Sequence, residues 1–338
     1  MNSRSLDHST PGSNNACNSG LALIGDVGAT NTRFALVDAD GKRTRARVYA
    51  LNDHASLAEA IDSYLKEESP PAPPEQAVLA VASPVTGDQV TLTNHPWTFS
   101  VEELRQHLRL KRLRVVNDFA ANAVAITQLS EEDRVQIGGG DSINGTPIGV
   151  IGPGTGLGVG ALVPTANGTI AIAGEGGHAT MMPATAQESV ILDLMRKRYD
   201  HVSAERLLSG PGLVNLYNAI CELAGEPAAP FSPAQITSPD IWSKHPRTRE
   251  AAEMFCAMLG TIAGNLALTL GARGGVYIAG GIVPRVPRFL AQSEFRQRFQ
   301  AKGRLSGYLA AIPTYLIVRP LPALLGAAAL LRDGVDVV

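Results

Sequence analysis

Asp118 stands where the chain changes character. Leu113, Val115 and Val116 make a short apolar run, Asn117 and Asp118 follow, and helical spacing of apolar residues occupies 121–126. That order predicts a carboxylate at the carboxyl end of a buried strand, the edge at which open α/β sheets bind ligands and carry out chemistry. A carboxylate there can accept a proton from an attacking hydroxyl. It can equally cap the helix that comes after it.

Other residues suited to chemistry stand elsewhere in the chain. Gly25, Asp26, Val27, Gly28, Ala29, Thr30 and Asn31 form a tight turn. Its glycines let backbone N–H groups approach an anion, Thr30 and Asn31 add donors, and Asp26 could orient a hydrated Mg²⁺, although an ordinary hairpin uses the same residue types. A second glycine turn runs Gly152, Pro153, Gly154, Thr155, Gly156, Leu157, Gly158, Val159, Gly160. The residues immediately after it read as a strand, so it is not a dinucleotide fingerprint, and the chain has no GxxxxGK[ST] loop. A nucleotide would therefore be held between two hairpin turns facing each other. Gly280 and Gly281, after an apolar run at 276–278, allow close approach of a nucleoside or of a neighbouring helix. Glu175 and His178, among Gly174, Gly176 and Gly177, and Glu205, between Ser203 and Arg206, supply carboxylates and an imidazole that could hold several sugar hydroxyls. His178 could instead be a core histidine, and Ser203 with Glu205 a helix start. Glu175 has no evident structural duty.

These residues need elements to position them. Apolar runs at 21–26, 34–37 and 48–51, joined by the first glycine turn and by Asp40–Gly41, predict three antiparallel strands, an opening that a dinucleotide-binding βαβ unit lacks. A helix at 55–66, prolines from 70 to 74, a strand at 76–82 and a helix at 101–108 lead to the strand before Asp118. After a polar stretch at 131–145 the pattern starts again with strands at 148–151, 159–163 and 169–173. Helices at 187–199, 211–223 and 247–270 come next, then strands at 275–279 and 314–318 and a closing helix at 324–331. The repeat predicts a duplicated α/β unit with a cleft between two lobes.

Composition narrows the function. With 29 basic and 31 acidic residues the formal charge is −2, and no basic stretch offers a nucleic-acid footprint. Cys17, Cys221 and Cys256 are scattered without metal-ligand spacing, which fits a reducing compartment and argues against structural zinc. No run approaches the length of a membrane span. Residues 1–20, rich in Ser and Asn, read as a disordered tail. Lysines and arginines outside the motifs are assigned to solvated faces.

The turn at 26–31, NDF at 117–119, GTGLG at 154–158, GEGGH at 174–178, SAERLLSGPGLVNLY at 203–217 and GGVYIAGGIVPR at 274–285 together resemble the bacterial glucokinases. The resemblance covers nearly everything from Leu21 to the last helix. It implies the two-lobed, actin-like (ribonuclease H-like) sugar kinase fold, a small α/β domain of 21–128 plus 319–338 and a large one of 129–318. It implies ATP, Mg²⁺, phosphorylation of glucose on its 6-hydroxyl, a homodimer and a cytoplasmic location. Asp118 would be the base, and Asn117, Asp118, Glu175, His178 and Glu205 the glucose ligands. Residues 25–31, Gly154, Thr155, Gly156, Gly280 and Gly281 would hold ATP, with Asp26 towards the metal. Ala29 stands where the family usually has a second glycine. The clustered cysteines of the related zinc-containing sugar kinases are missing, as is a helix-turn-helix extension. A kinase for another hexose and a non-catalytic sugar-responsive regulator are the alternatives.

Overall fold

The computed structural model describes residues 20–332 and 334–338; Cys17 and the expected tail lie outside the described residues, apart from Gly20. The first half of the chain runs β1 (Ala22–Val27), β2 (Asn31–Val37), β3 (Arg47–Ala50), α1 (Leu57–Glu68), β4 (Gln76–Val81), β5 (Gln89–Thr91), β6 (Thr98–Ser100), α2 (Val101–His107), β7 (Arg112–Asn117) and α3 (Asp118–Ala125). Its main sheet has the order β3-β2-β1-β4-β7, with β1, β2 and β3 antiparallel and β1, β4 and β7 parallel.

The second half begins with β8 (Arg134–Gly138), β9 (Ile148–Pro153), β10 (Leu157–Thr165) and β11 (Gly168–Gly174). Helices α4 (Ala186–Arg196), α5 (Gly210–Ala224), α6 (Pro233–Ile236), α7 (Pro239–Trp242) and α8 (Pro246–Leu270) come next. The chain closes with β12 (Val276–Ile278), α9 (Pro287–Gln292), α10 (Phe295–Gln300), α11 (Ser306–Ala311), β13 (Thr314–Ile317), α12 (Pro322–Ala329) and β14 (Val335–Val337). The second sheet has the order β14-β11-β10-β9-β12-β13-β8. Its inner five strands repeat the first sheet: β11-β10-β9 is an antiparallel meander, and β12 and β13 are parallel to β9. The duplication read from the sequence is therefore a duplication of topology.

Four strands have no counterpart in the sequence pattern: β5 and β6, which pair with each other as a separate two-stranded sheet, and β8 and β14. β8 lies inside the polar 131–145 stretch and pairs antiparallel with β13; as an edge strand with two of its five residues exposed and none buried it has no continuous apolar signal. β14 pairs parallel with β11 and covers the outer edge of the second sheet. Within 319–338, α12 packs on β1 and β4, whereas β14 is hydrogen-bonded into the second sheet.

The equivalent helices α3 and α12 pack on each other between the two sheets, α3 against β9, β10 and β11 and α12 against β1 and β4. This layer is built from small residues, Ala120, Ala121, Ala123, Ala323 and Ala327, with Val124 and Leu324. At Gly326 a Cβ would lie 1.8 Å from the Ala121 carbonyl oxygen, so only glycine permits this approach. By length and composition α8 could cross a membrane, but it is a core helix: Phe255, Met258, Leu259, Ala263 and Ala267 are buried in the large lobe. Its Gly260 and Gly264 let α10 close in on it, since a Cβ at either would meet a Phe295 or Phe299 carbonyl oxygen.

The crossing of α3 and α12 gives a first expectation. Gly326→Ala should cost about 1–3 kcal/mol of stability, read as a lower urea midpoint at unchanged slope; an unchanged midpoint would show that the two helices separate freely.

Candidate active site

Both sheets present the same edge to one cleft of about 700 Å³. The first contributes the β1–β2 turn, the end of β4 at Ala82 and Ser83, and Asp118 beyond β7. The second contributes the β9–β10 turn, Glu175 and His178 after β11, and Gly280 and Gly281 after β12.

Asp118 is not the cap of α3. Asn117 takes that position, its side-chain oxygen accepting from the backbone N–H of Phe119 at 2.9 Å and of Ala120 at 3.2 Å. Its Nδ2 donates to the Ser83 carbonyl at 3.3 Å. Asn117 lines the cleft as expected, but most of its hydrogen-bonding capacity is committed inside the protein. The Asp118 carboxylate is released towards the cleft. Burial, then the nearby Asp26 carboxylate, with a smaller contribution from Glu175, pushes Asp118 up to about 7 against the opposing pull of backbone N–H groups.

Asp26, at the end of β1, is bonded to Arg33 at 3.1 Å; burial nevertheless raises its pKa above the ordinary value, Arg33 offsetting part of the shift. Gly28 and Ala29 line the cleft. Gly25 and Val27 do not: they are buried strand residues, and a Cβ on Gly25 would meet Leu79 and Phe34. Thr30 and Asn31 lie off the cleft wall, with Asn31 Nδ2 bonded to Thr30 Oγ1 at 3.1 Å. Among the described residues no protein group accepts from the backbone N–H of Ala29 or Thr30. Ala29 has no positive φ, so the missing glycine is not required by the backbone.

The glycines of the β9–β10 turn have separate duties. Cβ atoms on Gly152 and Gly158 would lie 2.8 and 1.9 Å from the Phe119 ring, and one on Gly156 would lie 2.5 Å from Glu205 Oε2. Gly154 alone of these faces open space, with the Gly281 nitrogen as its nearest neighbour at 4.0 Å. The turn is braced by Gly210, whose N–H donates to the Gly154 carbonyl at 2.8 Å, while the N–H groups of Thr155 and Gly156 have no acceptor among the described residues. It can thus present donors to an anion, as does the turn opposite.

Glu205 accepts from the Leu157 N–H at 2.9 Å. Glu175 and His178 are about half exposed, 3.9 Å apart. The three reach the cleft together with Asp118. Sequence reasoning missed Ser83, Thr93 and Asn94, whose turn is held by the Thr93 N–H to Ser83 Oγ bond of 2.7 Å. It missed Asn122, one turn beyond Asp118 on α3, whose Oδ1 is buried without a partner; an asparagine inside an alanine run was the available signal. It also missed Ser232–Thr237 around α6, placed Arg33 on a solvated face, and gave Arg285, the last residue of the 274–285 motif, no role, whereas both arginines line the cleft.

Residues 23–334 match the family model described as Glucokinase. The chain belongs to the glucokinase family. A glucokinase of Paramagnetospirillum magneticum is 51% identical over 314 residues, 93% of this chain and 98% of the relative. The crystal structure of a glucokinase from an Antarctic psychrotroph, 38% identical, matches with a TM-score of 0.81 over 92% of this chain and 98% of that one. A ROK family glucokinase from Streptomyces griseus, solved with glucose and AMPPNP, is 17% identical with a TM-score of 0.63 over 92% of this chain and 99% of that one, and shares the fold. The two-lobed sugar kinase fold read from the sequence is the one observed.

Because its folded pKa of about 7 exceeds the ordinary 3.8, Asp118 contributes stability below about pH 4 that is lost as pH rises through 7. Asp118→Asn should therefore gain on the order of 1–4 kcal/mol over the parent at pH 8 relative to pH 4. Denaturant titrations at the two pH values check this; a pH-independent difference would mean an unperturbed carboxylate.

Proposed function

We propose that the chain phosphorylates D-glucose with ATP to give glucose 6-phosphate and ADP, with Asp118 as the base. The observation that carries this is the placement of Asp118: relieved of capping, raised towards neutrality, and set between the sugar-type acids and two turns with unengaged N–H groups. Asn117, Glu175, His178 and Glu205 hold the sugar hydroxyls. The 6-hydroxyl lies against Asp118, which takes its proton as oxygen bonds to the γ-phosphorus and the bond to the β,γ-bridging oxygen breaks, leaving ADP. The N–H groups of Thr155 and Gly156 face that of Ala29 across the phosphates.

The donor set fits Mg²⁺ only as an ion carried in with the nucleotide. No group of three or more His, Cys, Asp or Glu capable of caging a metal occurs among the described residues. Asp26 and Asp118 repel each other at the phosphate end, and a dication would relieve that repulsion. These two would hold it, and when bound it supplies charge neutralisation to the phosphates. The small lobe, 21–128 with α12, closes on the large lobe, 129–318 with β14, to exclude water. A homodimer is the assembly expected from the sequence resemblance, to be checked by sedimentation. A cytoplasmic setting agrees with the free, buried Cys221 and Cys256.

ADP release with MgATP and a panel of glucose, mannose, fructose, N-acetylglucosamine or no sugar tests the reading. Release with glucose is expected; release with another sugar alone changes the substrate, and none from folded, glucose-binding protein leaves a sensor. Turnover per unit glucose affinity should rise about tenfold per pH unit below 7 and level off above it. Asp118→Asn should bind glucose yet lose at least about two orders of magnitude in turnover. Glu175→Gln should weaken glucose binding and leave ADP binding unchanged; equal loss of both would make Glu175 structural.

A further inference from the structure

Arg285 is a guanidinium in the cleft with nothing to hold. Four carboxylates, Asp26, Asp118, Glu175 and Glu205, line the cleft against Arg33 and Arg285 among the described residues, so it is anionic before a polyanion enters. Arg33 is bonded to Asp26. Arg285 is exposed at the end of a short turn, Val283–Arg285, and its side chain makes no hydrogen bond or ion pair with a described residue. An uncommitted guanidinium is suited to bidentate contact with phosphate oxygens.

Sheet order says which part of a ligand it meets. Along the edge facing the cleft, Glu175 comes after β11, the glycine turn joins β10 to β9, and the Gly280–Arg285 segment comes after β12. From β11 to β12 is three strand spacings, about 14 Å. A sugar on Glu175 with its reacting hydroxyl at Asp118 puts the transferred phosphoryl at the glycine turn. The rest of the nucleotide then extends towards β12. Gly281 is tied to that turn by its N–H to Pro153 carbonyl bond of 3.1 Å, so the segment carrying Arg285 is fixed against the phosphate cradle.

We propose that Arg285 binds the phosphates of the nucleotide that are not transferred. This rests on the kinase reading above, and it assigns Arg285 to nucleotide affinity and gives it no part in sugar recognition. The test is calorimetric titration of the full chain with ADP, adenosine and glucose separately, for the parent, Arg285→Ala and Arg285→Lys. Arg285→Ala should weaken ADP binding roughly 10- to 100-fold, leave adenosine and glucose binding unchanged, and make ADP binding less sensitive to salt, with Arg285→Lys in between. Unchanged ADP affinity would overturn the assignment, as would equal weakening of ADP and adenosine, which would put the guanidinium on the base. Direct ADP binding needs no turnover: loss in Arg285→Ala without sugar-dependent ADP release by the parent would sink the kinase reading alone, while a parent that does not bind ADP would sink both.

Discussion

Two backbone N–H groups at the start of α3 must be satisfied, and the amide oxygen of Asn117 satisfies both. An α-helix that begins inside a protein needs such an acceptor, and aspartate and asparagine serve about equally well. In this chain they stand next to each other. Because the neutral amide does the capping, the carboxylate is left in the first turn of the helix, where burial and two other carboxylates outweigh the pull of the Phe119 and Asp118 N–H groups. Had Asp118 been the cap, its two hydrogen bonds would have favoured the charged form and lowered its pKa, leaving a weaker base. The Asn117–Ser83–Thr93 bonds extend the same support across the ends of β7 and β4, beneath Asp118.

The residue after Asp118 ties it to the β9–β10 turn. Phe119 starts on the first lobe, yet its ring fills the space that side chains on Gly152 and Gly158 would occupy in the second. Its carbonyl oxygen would likewise be 2.8 Å from a Cβ on Gly160. Much of the glycine content of this turn is thus a packing requirement, and the part open to a ligand reduces to Gly154 and the amides of Thr155 and Gly156. The same layer of α3 and α12 brings the lobes close enough for this contact, and its small side chains permit it.

The duplication was legible because each meander is written as three apolar runs separated by turn residues, a local signal. The strand end at Asn117, Glu175 between its glycines, and both turns were legible for the same reason. β8 and β14 were not, since an edge strand is only half buried and a short partner is chosen by which sheet edge is left open, a tertiary matter. Which of Asn117 and Asp118 caps α3 could not be read either: adjacent residues of equal capping preference differ only in where the helix begins. Arg285 was invisible because an arginine in a loop looks the same on a solvated face and in a cleft. The notion that every glycine of a glycine-rich turn serves a phosphate fails for a physical reason, namely that a ring and a carboxylate from distant parts of the chain occupy the space those glycines leave.

Glu205 shows why sugar and nucleotide subsites of such a cleft are hard to separate. One of its oxygens accepts from Leu157 N–H at the end of the phosphate turn, and a side chain at Gly156 would collide with that oxygen. Its other oxygen is what a sugar hydroxyl would meet. A carboxylate accepting from a sugar and from the turn at once is held more firmly than by either alone, and the turn's open amides are then fixed in the geometry a phosphate needs. Excess negative charge works in the opposite direction, discouraging a polyanion until cations and N–H groups face it. On the proposed reading the cleft would combine a geometric coupling that favours the two ligands together with an electrostatic barrier against the nucleotide, and the placement of a few N–H groups, Arg33 and Arg285 would decide how far that barrier is lowered.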